Sequence, residues 1–540
     1  MVRFNLKTLA LGLALFLPYS GFAEVRIFHA DKPTEKLLVS PRLPSSVFEQ
    51  SGRLNQGLAA QAFLKWVRQE KVRFGLKTVS GETLVFQRAA EEFDRISLHF
   101  KQRFNRTGIE GAELIGIFDA SGELLSVNSS LVELDGTGFT VQPELSRSEG
   151  LRAAIRAGGF RDAEEGNGSR DGLLVVRALN RGKKVPYLVW QYSLREYQSG
   201  TNAAPPQEIQ VYAQSSQTQA AGAVHKIRSL AHGAWSERVA PIDIYDSSLT
   251  FVVPNPYYKG ILVMENGERK LASIAFPVEV AQAAHSSFAR VLDFFDYHFG
   301  RRSYDGQGAV ISASVNVQRL GFFDLLGQKQ NAAWMGPWKM FIFGAGGDLL
   351  GNFAGALDVV GHEFTHAVIG ATSDLVYEGE SGALNEHLAD VFGALVEEEY
   401  EPWMESLLIG ESVLRGRAKK EANALRDMLH PEKGFSAQPG KVSEITDEFK
   451  PGCVPSRTND NCGVHILSGI PNRAFAVLSA ELSQQTLRDL YYRVMTQRLR
   501  SSSDFKDYRA QLMDECSLSF DSGVCERVEF ALNEVEIQRD

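Results

Sequence analysis

The fold of this chain is organised around one segment, Asp358-Val-Val-Gly-His-Glu-Phe-Thr-His-Ala-Val-Ile-Gly370. At a helical period His362 and His366 are four residues apart, so both side chains project from one face of a helix. Two neutral imidazoles at that separation can each give a nitrogen to one Zn²⁺ ion. Glu363 follows the first histidine directly, where a general base can accept a proton from the attacking water. The alternative is a helix that carries two histidines and a glutamate by chance.

A second helix is predicted in Ser381-Gly-Ala-Leu-Asn-Glu-His-Leu-Ala-Asp-Val-Phe-Gly393, where nineteen residues separate His366 from Glu386. Leucine, valine and phenylalanine recur there at helical spacing, and Glu386 and Asp390 interrupt the inner side of the helix. Acidic groups on a buried helical face need a cation or strong hydrogen-bond donors. Two histidines and one carboxylate leave a fourth zinc position open, which is typical of catalytic rather than structural zinc sites.

His-Glu-Phe-Thr-His followed by Gly-Ala-Leu-Asn-Glu-x-x-x-Asp at this spacing resembles the thermolysin family of neutral zinc metalloproteases. The resemblance implies that Glu386 is the third zinc ligand. It also implies that Asp390 and Asn385 orient the two histidine rings through their other nitrogens. For Asp390 the alternative is an ordinary carboxylate on the helix surface.

Two further segments match the family residue by residue. Tyr377, in Leu-Val-Tyr, corresponds to a tyrosine that donates to the oxyanion. In Asn459-Asp-Asn-Cys-Gly-Val-His-Ile-Leu-Ser-Gly-Ile470, His465 corresponds to the family's transition-state histidine and Asp460 to the carboxylate that holds it. A tetrahedral intermediate carries a negative oxygen, so an imidazolium and a phenol at that position stabilise it preferentially.

The resemblance also implies how a peptide substrate is bound. Gln330-Asn-Ala-Ala-Trp334 resembles the family's edge strand, in which Asn331 and the carbonyl of Ala332 bind peptide backbone by strand addition. Arg426 corresponds to an arginine that binds a substrate carbonyl. An apolar pocket on the leaving-group side of the scissile bond is expected, unless its residues are ordinary core. They are Val359, Leu425 and Ile409.

Calcium ligands of the family are kept only in part. Asp358, Glu397 and Glu411 fit the pattern, whereas residues 398–406 align poorly and residues 343–348 are less acidic than the family's equivalent. Calcium binding is therefore an open prediction alongside one catalytic zinc ion.

The chain has 540 residues, 44% of them hydrophobic and 23% charged, which predicts two to four soluble globular domains. A formal net charge of −9 argues against a nucleic-acid partner, which would need a basic face. Residues 1–23 predict a cleaved signal peptide: Arg3 and Lys7 precede an apolar run, and Gly-Phe-Ala ends it. That run is too short for a membrane span, so we expect export and release, to the periplasm or the medium, without a membrane anchor.

Four cysteines fit an exported chain. Cys453 and Cys462 enclose eight residues, as do Cys516 and Cys525, which most simply predicts two local disulfides. The two crossed connectivities and free thiols remain open alternatives. Cys462 replaces a small residue of the family pattern beside His465, and a bond to Cys453 would fix the position of that loop.

Residues 24–140 are predicted to form a strand-rich module and residues 141–232 a helix-plus-sheet module, which together resemble the propeptide of thermolysin-type proteases. The alternative is two α+β domains with a permanent binding role. The boundary with the catalytic unit is expected near 225–240. Residues 233–370 are the expected amino-terminal catalytic lobe, including the motif helix, and residues 371–540 the helical carboxyl-terminal lobe.

The predicted fold class is α+β: a two-lobed, thermolysin-like catalytic unit preceded by an α+β propeptide. The predicted function is that of a secreted zinc endopeptidase made as a proenzyme, whose propeptide acts as intramolecular chaperone and inhibitor. Its partners are peptide or protein substrates, with an apolar residue preferred on the leaving-group side. Two alternatives remain: a zinc aminopeptidase, and a non-catalytic secreted binding protein that retains the fold.

Overall fold

The structure is a computed structural model, and it describes residues 25–29, 32–37, 41–49, 53–74, 76, 79, 83–92, 94–104, 107–132, 146, 148–149, 152, 163–165, 172–180, 183–196, 207–214, 242–246, 261–265, 268–269, 279–317, 330–402, 404–405, 407–450 and 452–538. The predicted signal peptide and the boundary expected near 225–240 lie outside the described residues.

Strands of the amino-terminal half form one sheet, ordered β10-β9-β8-β5-β6-β1-β2, with β4 and β3 attached to β5 and β7 attached to β9. These strands are β1 (Val25–His29), β2 (Lys32–Leu37), β3 (Leu84–Glu92), β4 (Arg95–Phe104), β5 (Thr107–Asp119), β6 (Leu124–Ser129), β7 (Ala163–Glu165), β8 (Gly172–Asn180), β9 (Lys183–Glu196) and β10 (Gln207–Gln214). Helix α1 (Gln56–Gln69) packs on this sheet, where the Phe63 ring meets Phe100 and Phe118.

The alternation of apolar and polar residues along β4, and the strand-turn-strand pattern of β5 and β6, both predict elements that the structure contains. At the tip of the hairpin the Asp119 carboxylate accepts from the amides of Ser121 and Glu123. β5 also pairs in parallel with β8, so strands on both sides of residue 140 belong to the same sheet. The two predicted modules therefore share their hydrogen bonding.

A second, six-stranded sheet follows in the order β13-β12-β11-β14-β16-β15. It comprises β11 (Ile242–Asp246), β12 (Ile261–Glu265), β13 (Glu268–Arg269), β14 (Ile311–Val317), β15 (Ala332–Met335) and β16 (Met340–Gly344). Helix α2 (Glu279–Phe299) buries its apolar stripe between this sheet, where Phe288 meets Phe341, and the helices that follow, where Phe295 meets Phe364. Gly300 ends the helix in a left-handed conformation. β15 is the terminal strand of the sheet, which leaves it able to accept another strand.

From Leu357 onward the chain is mainly helical. It also contains one short antiparallel pair of strands, β17 and β18. The helices are α3 (Leu357–Ala371), α4 (Gly379–Tyr400), α5 (Ala418–Glu421), α6 (Asp460–Leu467), α7 (Gly469–Ser479), α8 (Gln484–Arg493), α9 (Phe505–Ser519) and α10 (Ser522–Glu534). β17 is Leu408–Ile409 and β18 is Arg426–Asp427.

Helices α3 and α4 approach each other closely at two glycines. A Cβ atom added to Gly393 would lie 2.5 Å from the carbonyl oxygen of Asp358, and one added to Gly361 would lie 3.1 Å from the Cα of Gly393. Because neither position can hold a side chain, the helix axes come near enough for residues of both helices to share one site.

The amino-terminal sheet packs against the helical end of the chain through charged and polar groups. Buried Arg498 donates to Ser126 and pairs with Asp514 and Glu515. Buried Glu113 accepts from the amide and hydroxyl of Ser501, at 3.1 and 2.8 Å. We call this contact, which Ser126 and Glu113 make with Arg498 and Ser501, the polar interface.

Both predicted local disulfides are present, Cys453–Cys462 and Cys516–Cys525, so the crossed connectivities and the free thiols are excluded. Across the described ranges, we find no helix with the length and apolarity that a bilayer crossing requires.

Candidate metal and catalytic site

Three side chains from α3 and α4 converge on one point. Atoms of His362, His366 and Glu386 that could bind a metal all lie within 4.8 Å of one another. The two Nε2 atoms are 3.0 Å apart, and they lie 3.5 and 3.3 Å from the Glu386 carboxylate. The close packing of the two helices thus joins the pair predicted on α3 to the carboxylate predicted on α4.

The outer nitrogens of the two histidines contact acceptor oxygens. His362 Nδ1 lies 2.8 Å from Asp390 Oδ1, and His366 Nδ1 lies 2.8 Å from Asn385 Oδ1. The Asn385 amide is oriented by its own donation to the Leu375 carbonyl. In the neutral tautomer that donates from Nδ1 to these oxygens, both Nε2 lone pairs are directed inward.

Two facing lone pairs cannot hydrogen-bond to each other, so this arrangement suits a cation between them. Glu386 adds a buried oxygen, Oε2, that lacks a hydrogen-bond partner among the residues described here. Two imidazoles and one carboxylate are the donor set of a catalytic zinc site. The residues present fit Zn²⁺.

The charge state of Glu386 agrees with that fit. Burial opposes its ionisation, but the charges of His465 and His366 outweigh burial and hold the pKa of the Glu386 carboxyl well below its usual range. Burial likewise opposes protonation of His366, and Glu386 nevertheless raises the pKa of that imidazole. A carboxylate that stays ionised in the interior is available as an anionic ligand.

Glu363 is buried beside this cluster, and its Oε2 accepts from the backbone amide of Trp334 at 2.6 Å. Trp334 belongs to β15, the terminal strand of the second sheet. The general base predicted from the motif thus lies between the three converging groups and the strand predicted to bind substrate. Asn331 and Ala332 stand at the start of this strand, where Asn331 accepts from the amide of Gly344 through its carbonyl.

Tyr377, His465 and Asp460 form a hydrogen-bonded chain on the other side. The Tyr377 hydroxyl donates to Glu386 Oε1 and lies 3.0 Å from His465 Nε2. His465 Nδ1 lies 2.7 Å from Asp460 Oδ1, and the His465 amide donates to Asp460 Oδ2 at 2.8 Å. Burial lowers the affinity of His465 for a proton, but Glu386 and Asp460 raise its pKa to about 9.

Arg426 lies on β18 and contacts Asp390 with two nitrogens, at 2.8 and 2.5 Å. Its second contact is with His362 Nδ1 at 3.3 Å. Despite burial, the Asp390 charge raises the pKa of the Arg426 guanidinium, and Arg426 holds the pKa of Asp390 below its usual range. Arg426 therefore fixes the carboxylate that orients a zinc ligand, in addition to the substrate role predicted for it.

Sequence reasoning missed Asn472, whose side-chain amide donates to Asp390 Oδ2 at 2.8 Å and whose oxygen meets His387 Nδ1. Asn472 is wholly buried in α7 among apolar residues. A lone asparagine on the apolar face of a predicted helix was the available signal, since buried amides need partners.

A second group of carboxylates comes from α3, from α4 and from the segment that follows β17. Ligand atoms of Asp358, Glu397 and Glu411 lie within 4.8 Å of one another. Asp358 Oδ2 accepts from the Gly410 amide, but four oxygens, namely Asp358 Oδ1, Glu397 Oε2 and both of Glu411, find no hydrogen-bond partner within the described ranges. We call these three residues the acidic cluster.

Burial and mutual repulsion disfavour ionisation of the acidic cluster. Burial, followed by the charges of Asp358 and Glu411, raises the pKa of Glu397 to about 9. Burial and Asp358 raise the pKa of Glu411 to about 8, and burial raises that of Asp358. Oxygen-only ligands with unpaired lone pairs suit a hard cation such as Ca²⁺.

The residues predicted to line the apolar pocket lie near this region. Val359 and Ile409 are buried in the main core, and Leu425 packs against that core while staying half-buried. Ile409 and Arg426 are paired across β17 and β18, so Leu425 and Ile409 are neighbours of the arginine described above.

Two family profiles match the chain. The profile of the thermolysin metallopeptidase catalytic domain matches residues 256–370, and that of the thermolysin metallopeptidase α-helical domain matches residues 373–537. The resemblance predicted from the sequence, and the two-lobed α+β fold that it implies, are thereby confirmed.

Similar proteins agree with the profiles. The neutral protease NprE of Bacillus pumilus is 35% identical over 254 residues, which are 47% of this chain and 75% of that protein. An extracellular elastase of Staphylococcus epidermidis is 34% identical over 245 residues, and a bacillolysin of Bacillus subtilis is 35% identical over 254. The match covers only 44% and 43% of those two proteins, so the chain spans less than half of their length in each case.

Among solved structures, a precursor of protealysin, a metalloproteinase from Serratia proteamaculans, aligns with 55% of this chain and 88% of its own. The sequence identity is 28% and the TM-score 0.45.

Proposed function

The chain belongs to the thermolysin family of metallopeptidases, and from that membership we propose that it is a secreted zinc endopeptidase made as a proenzyme. One observation carries the proposal. The Nε2 atoms of His362 and His366 converge with the buried Glu386 carboxylate, and a further glutamate, Glu363, lies beside them without being one of the converging groups. His362, His366 and Glu386 would hold the metal. When bound, zinc polarises the scissile carbonyl and acidifies a water molecule.

Glu363 is the proposed general base. Its carboxylate accepts a proton from the attacking water and later delivers that proton to the leaving amine. The Trp334 amide holds one Glu363 oxygen at 2.6 Å, which leaves the other oxygen for the water. Hydrogen-bonded proton transfer of this kind requires only small movements of the carboxylate.

Tyr377 and His465 are the proposed oxyanion donors. The Asp460 carboxylate contacts His465 Nδ1, so a protonated His465 offers its Nε2 proton toward the cleft, next to the Tyr377 hydroxyl. Both donors face a negative charge that exists only after water has added to the carbonyl. Their contribution therefore falls on the transition state rather than on substrate binding.

Peptide substrates are proposed to add as a strand to β15. Asn331 and the Ala332 carbonyl supply backbone contacts there, close to Glu363. Arg426 is the proposed donor to a substrate carbonyl. Val359, Leu425 and Ile409 would favour an apolar side chain on the leaving-group side.

The acidic cluster is proposed to bind Ca²⁺. Three carboxylates with four unpaired oxygens in the described part of the chain carry this proposal, together with the raised pKa values of Glu397 and Glu411. A divalent cation would let all three groups ionise at neutral pH.

Residues 24–232 are proposed to be a propeptide that assists folding of the catalytic unit and inhibits it, after a signal peptide at residues 1–23 has directed export. The polar interface supports this role, because it joins the amino-terminal sheet to the segment that follows α8. The module limits at 140, 232 and 370 are part of the same proposal.

The test is cleavage of an internally quenched peptide blocked at both ends, measured with the zinc content of the purified protein. An endopeptidase cuts this peptide and loses activity when the metal is chelated. An aminopeptidase does not cut it, because the amino terminus is blocked, and a non-catalytic binding protein does not cut it at all. Activity that survives complete zinc removal would contradict the proposal.

A further inference from the structure

The backbone preceding His465 takes a conformation that side chains rarely allow. Asp460, Asn461, Cys462 and Gly463 have φ values of 54°, 50°, 66° and 76°. Three of these four residues are not glycine, and for such residues the left-handed region is disfavoured by contact of Cβ with the backbone. Something in the surrounding structure must hold this left-handed turn.

Two features hold it. The Asn459 side chain accepts from the amides of Ser456 and Cys462, at 2.9 and 3.1 Å, and donates to the Val454 carbonyl at 2.9 Å. The Cys453–Cys462 disulfide then ties the turn to the preceding segment, with the two Cα atoms 6.0 Å apart. Cys462 is buried, so its side chain anchors the turn in the interior.

The turn decides where Asp460 points. Asp460 is its first residue, and both carboxylate oxygens bind His465, one at the amide and one at Nδ1. His465 Nε2 in turn lies 3.0 Å from the Tyr377 hydroxyl. A turn that relaxed to ordinary φ values would carry the Asp460 carboxylate away from the imidazole.

We propose that the Cys453–Cys462 disulfide is a positioning element of the oxyanion site, which keeps Cys462 left-handed and thereby aligns Asp460 and His465. Its effect on turnover rests on the proposed endopeptidase function. The second disulfide, Cys516–Cys525, joins α9 to α10 and lies outside this turn.

The test compares three double variants of the full chain. Cys453→Ala/Cys462→Ala removes the bond and leaves a Cβ in the disfavoured conformation. Cys453→Ala/Cys462→Gly removes the bond but replaces Cys462 with the residue that adopts positive φ freely. Cys516→Ala/Cys525→Ala is the control for loss of a disulfide elsewhere. Each is measured for kcat, KM, melting temperature and hydrogen exchange of residues 459–467.

We expect the alanine variant to lose tenfold or more in kcat with KM within twofold of the parent, because only the transition state uses the oxyanion groups. The glycine variant should stay within threefold of the parent kcat, and the control should keep its kcat while its melting temperature falls. Hydrogen exchange of residues 459–467 should be faster in the alanine variant than in the glycine variant.

An alanine variant with parental kcat, or alanine and glycine variants that are equally impaired, would overturn the proposal. If the alanine variant does not accumulate as folded protein, the glycine variant decides: a tenfold loss of kcat there overturns it, and retention within threefold supports it. Hydrogen exchange separates this inference from the proposed function. If the parent cuts no peptide while exchange still differs between the alanine and glycine variants, the endopeptidase proposal fails and the positioning by the disulfide stands.

Discussion

Helices α3 and α4 contribute to two clusters of ionisable side chains, and the two clusters differ in how many of their polar atoms have a protein partner. Around His362, His366 and Glu386, the outer ring nitrogens and one carboxylate oxygen contact protein groups. In the acidic cluster, four oxygens lack a protein partner in the described part of the structure. The first arrangement is held by the protein itself and would receive a metal, whereas the second would depend on a cation, or on protons, for its order.

This difference predicts which property of the protein, turnover or stability, depends on each cation. Loss of the metal from the first cluster should lower turnover but not stability, because hydrogen bonds to Asp390 and Asn385 keep the histidines in place. Loss of a cation from the acidic cluster would leave three buried carboxyl groups that must either bind protons or face one another as like charges, and it should weaken the fold. The predictions below separate turnover from stability on this basis.

The largest effect is expected from Glu363→Gln. The amide cannot accept the proton of water, so kcat/KM should fall by about 10³-fold, within the range for general-base catalysis. The zinc content, measured by atomic absorption, should stay at one equivalent because Glu363 is not a ligand. Full activity in this variant would remove Glu363 from the mechanism.

His465→Ala is expected to lower kcat by about 10²-fold, as loss of one oxyanion donor does elsewhere. Zinc content should again be unchanged, because His465 is not a proposed ligand and the contacts of His362 and His366 with Asp390 and Asn385 remain. Asn472→Ala is a contrasting variant, since it withdraws a donor from Asp390 without touching the cleft. An equal loss of zinc and turnover in His465→Ala would make that residue structural rather than catalytic.

Glu411→Gln should act in opposite directions with and without calcium. With calcium the variant loses a ligand and should melt lower, by about 2–4 °C for each kcal/mol lost. In calcium-free buffer above about pH 9, where Glu397 and Glu411 ionise, it removes a like charge from the acidic cluster and should melt higher than the parent. Glu421→Gln, an exposed residue paired with Arg417, is the matched control and should be insensitive to calcium. A shift of the same sign in both buffers would contradict the cation assignment.

The smallest effect is a pH dependence of stability. The folded-state pKa values of Glu397 and Glu411, about 9 and about 8, lie above those of an unfolded glutamate. The folded protein therefore binds more protons, and its stability without calcium should fall as pH rises from about 5 through about 9. With calcium bound, this slope should flatten. Melting temperatures across this range in the two buffers provide the measurement.

Much of the catalytic site follows from the sequence, because helical spacing fixes which side chains share a face. The four-residue interval between the histidines and between Glu386 and Asp390 already predicts the ligand face of each helix. The contact of Gly361 with Gly393 was not predictable, since it depends on how two helices cross. Neither was the pairing of β5 with β8, because parallel partners far apart in sequence leave no local pattern.

The acidic cluster is a second case in which the residues, but not their surroundings, could be predicted from the sequence. Asp358, Glu397 and Glu411 could be named from the family resemblance. That four of their oxygens lack a donor in the part of the chain that the structure describes is a property of three-dimensional packing. Asn472 is the converse case, a buried amide whose partners lie 82 and 85 residues away.

The polar interface has a consequence for how the two halves of the chain would behave after proteolytic cleavage between them. Ser126 accepts a hydrogen bond from Arg498 and Glu113 accepts one from Ser501, so buried hydrogen bonds connect the two halves there. Polar groups of this kind can hydrogen-bond to water once the two halves separate. The released carboxyl-terminal half would therefore expose polar rather than apolar groups at this contact. The proposed propeptide could then dissociate without leaving a surface that promotes aggregation, and salt should favour this dissociation.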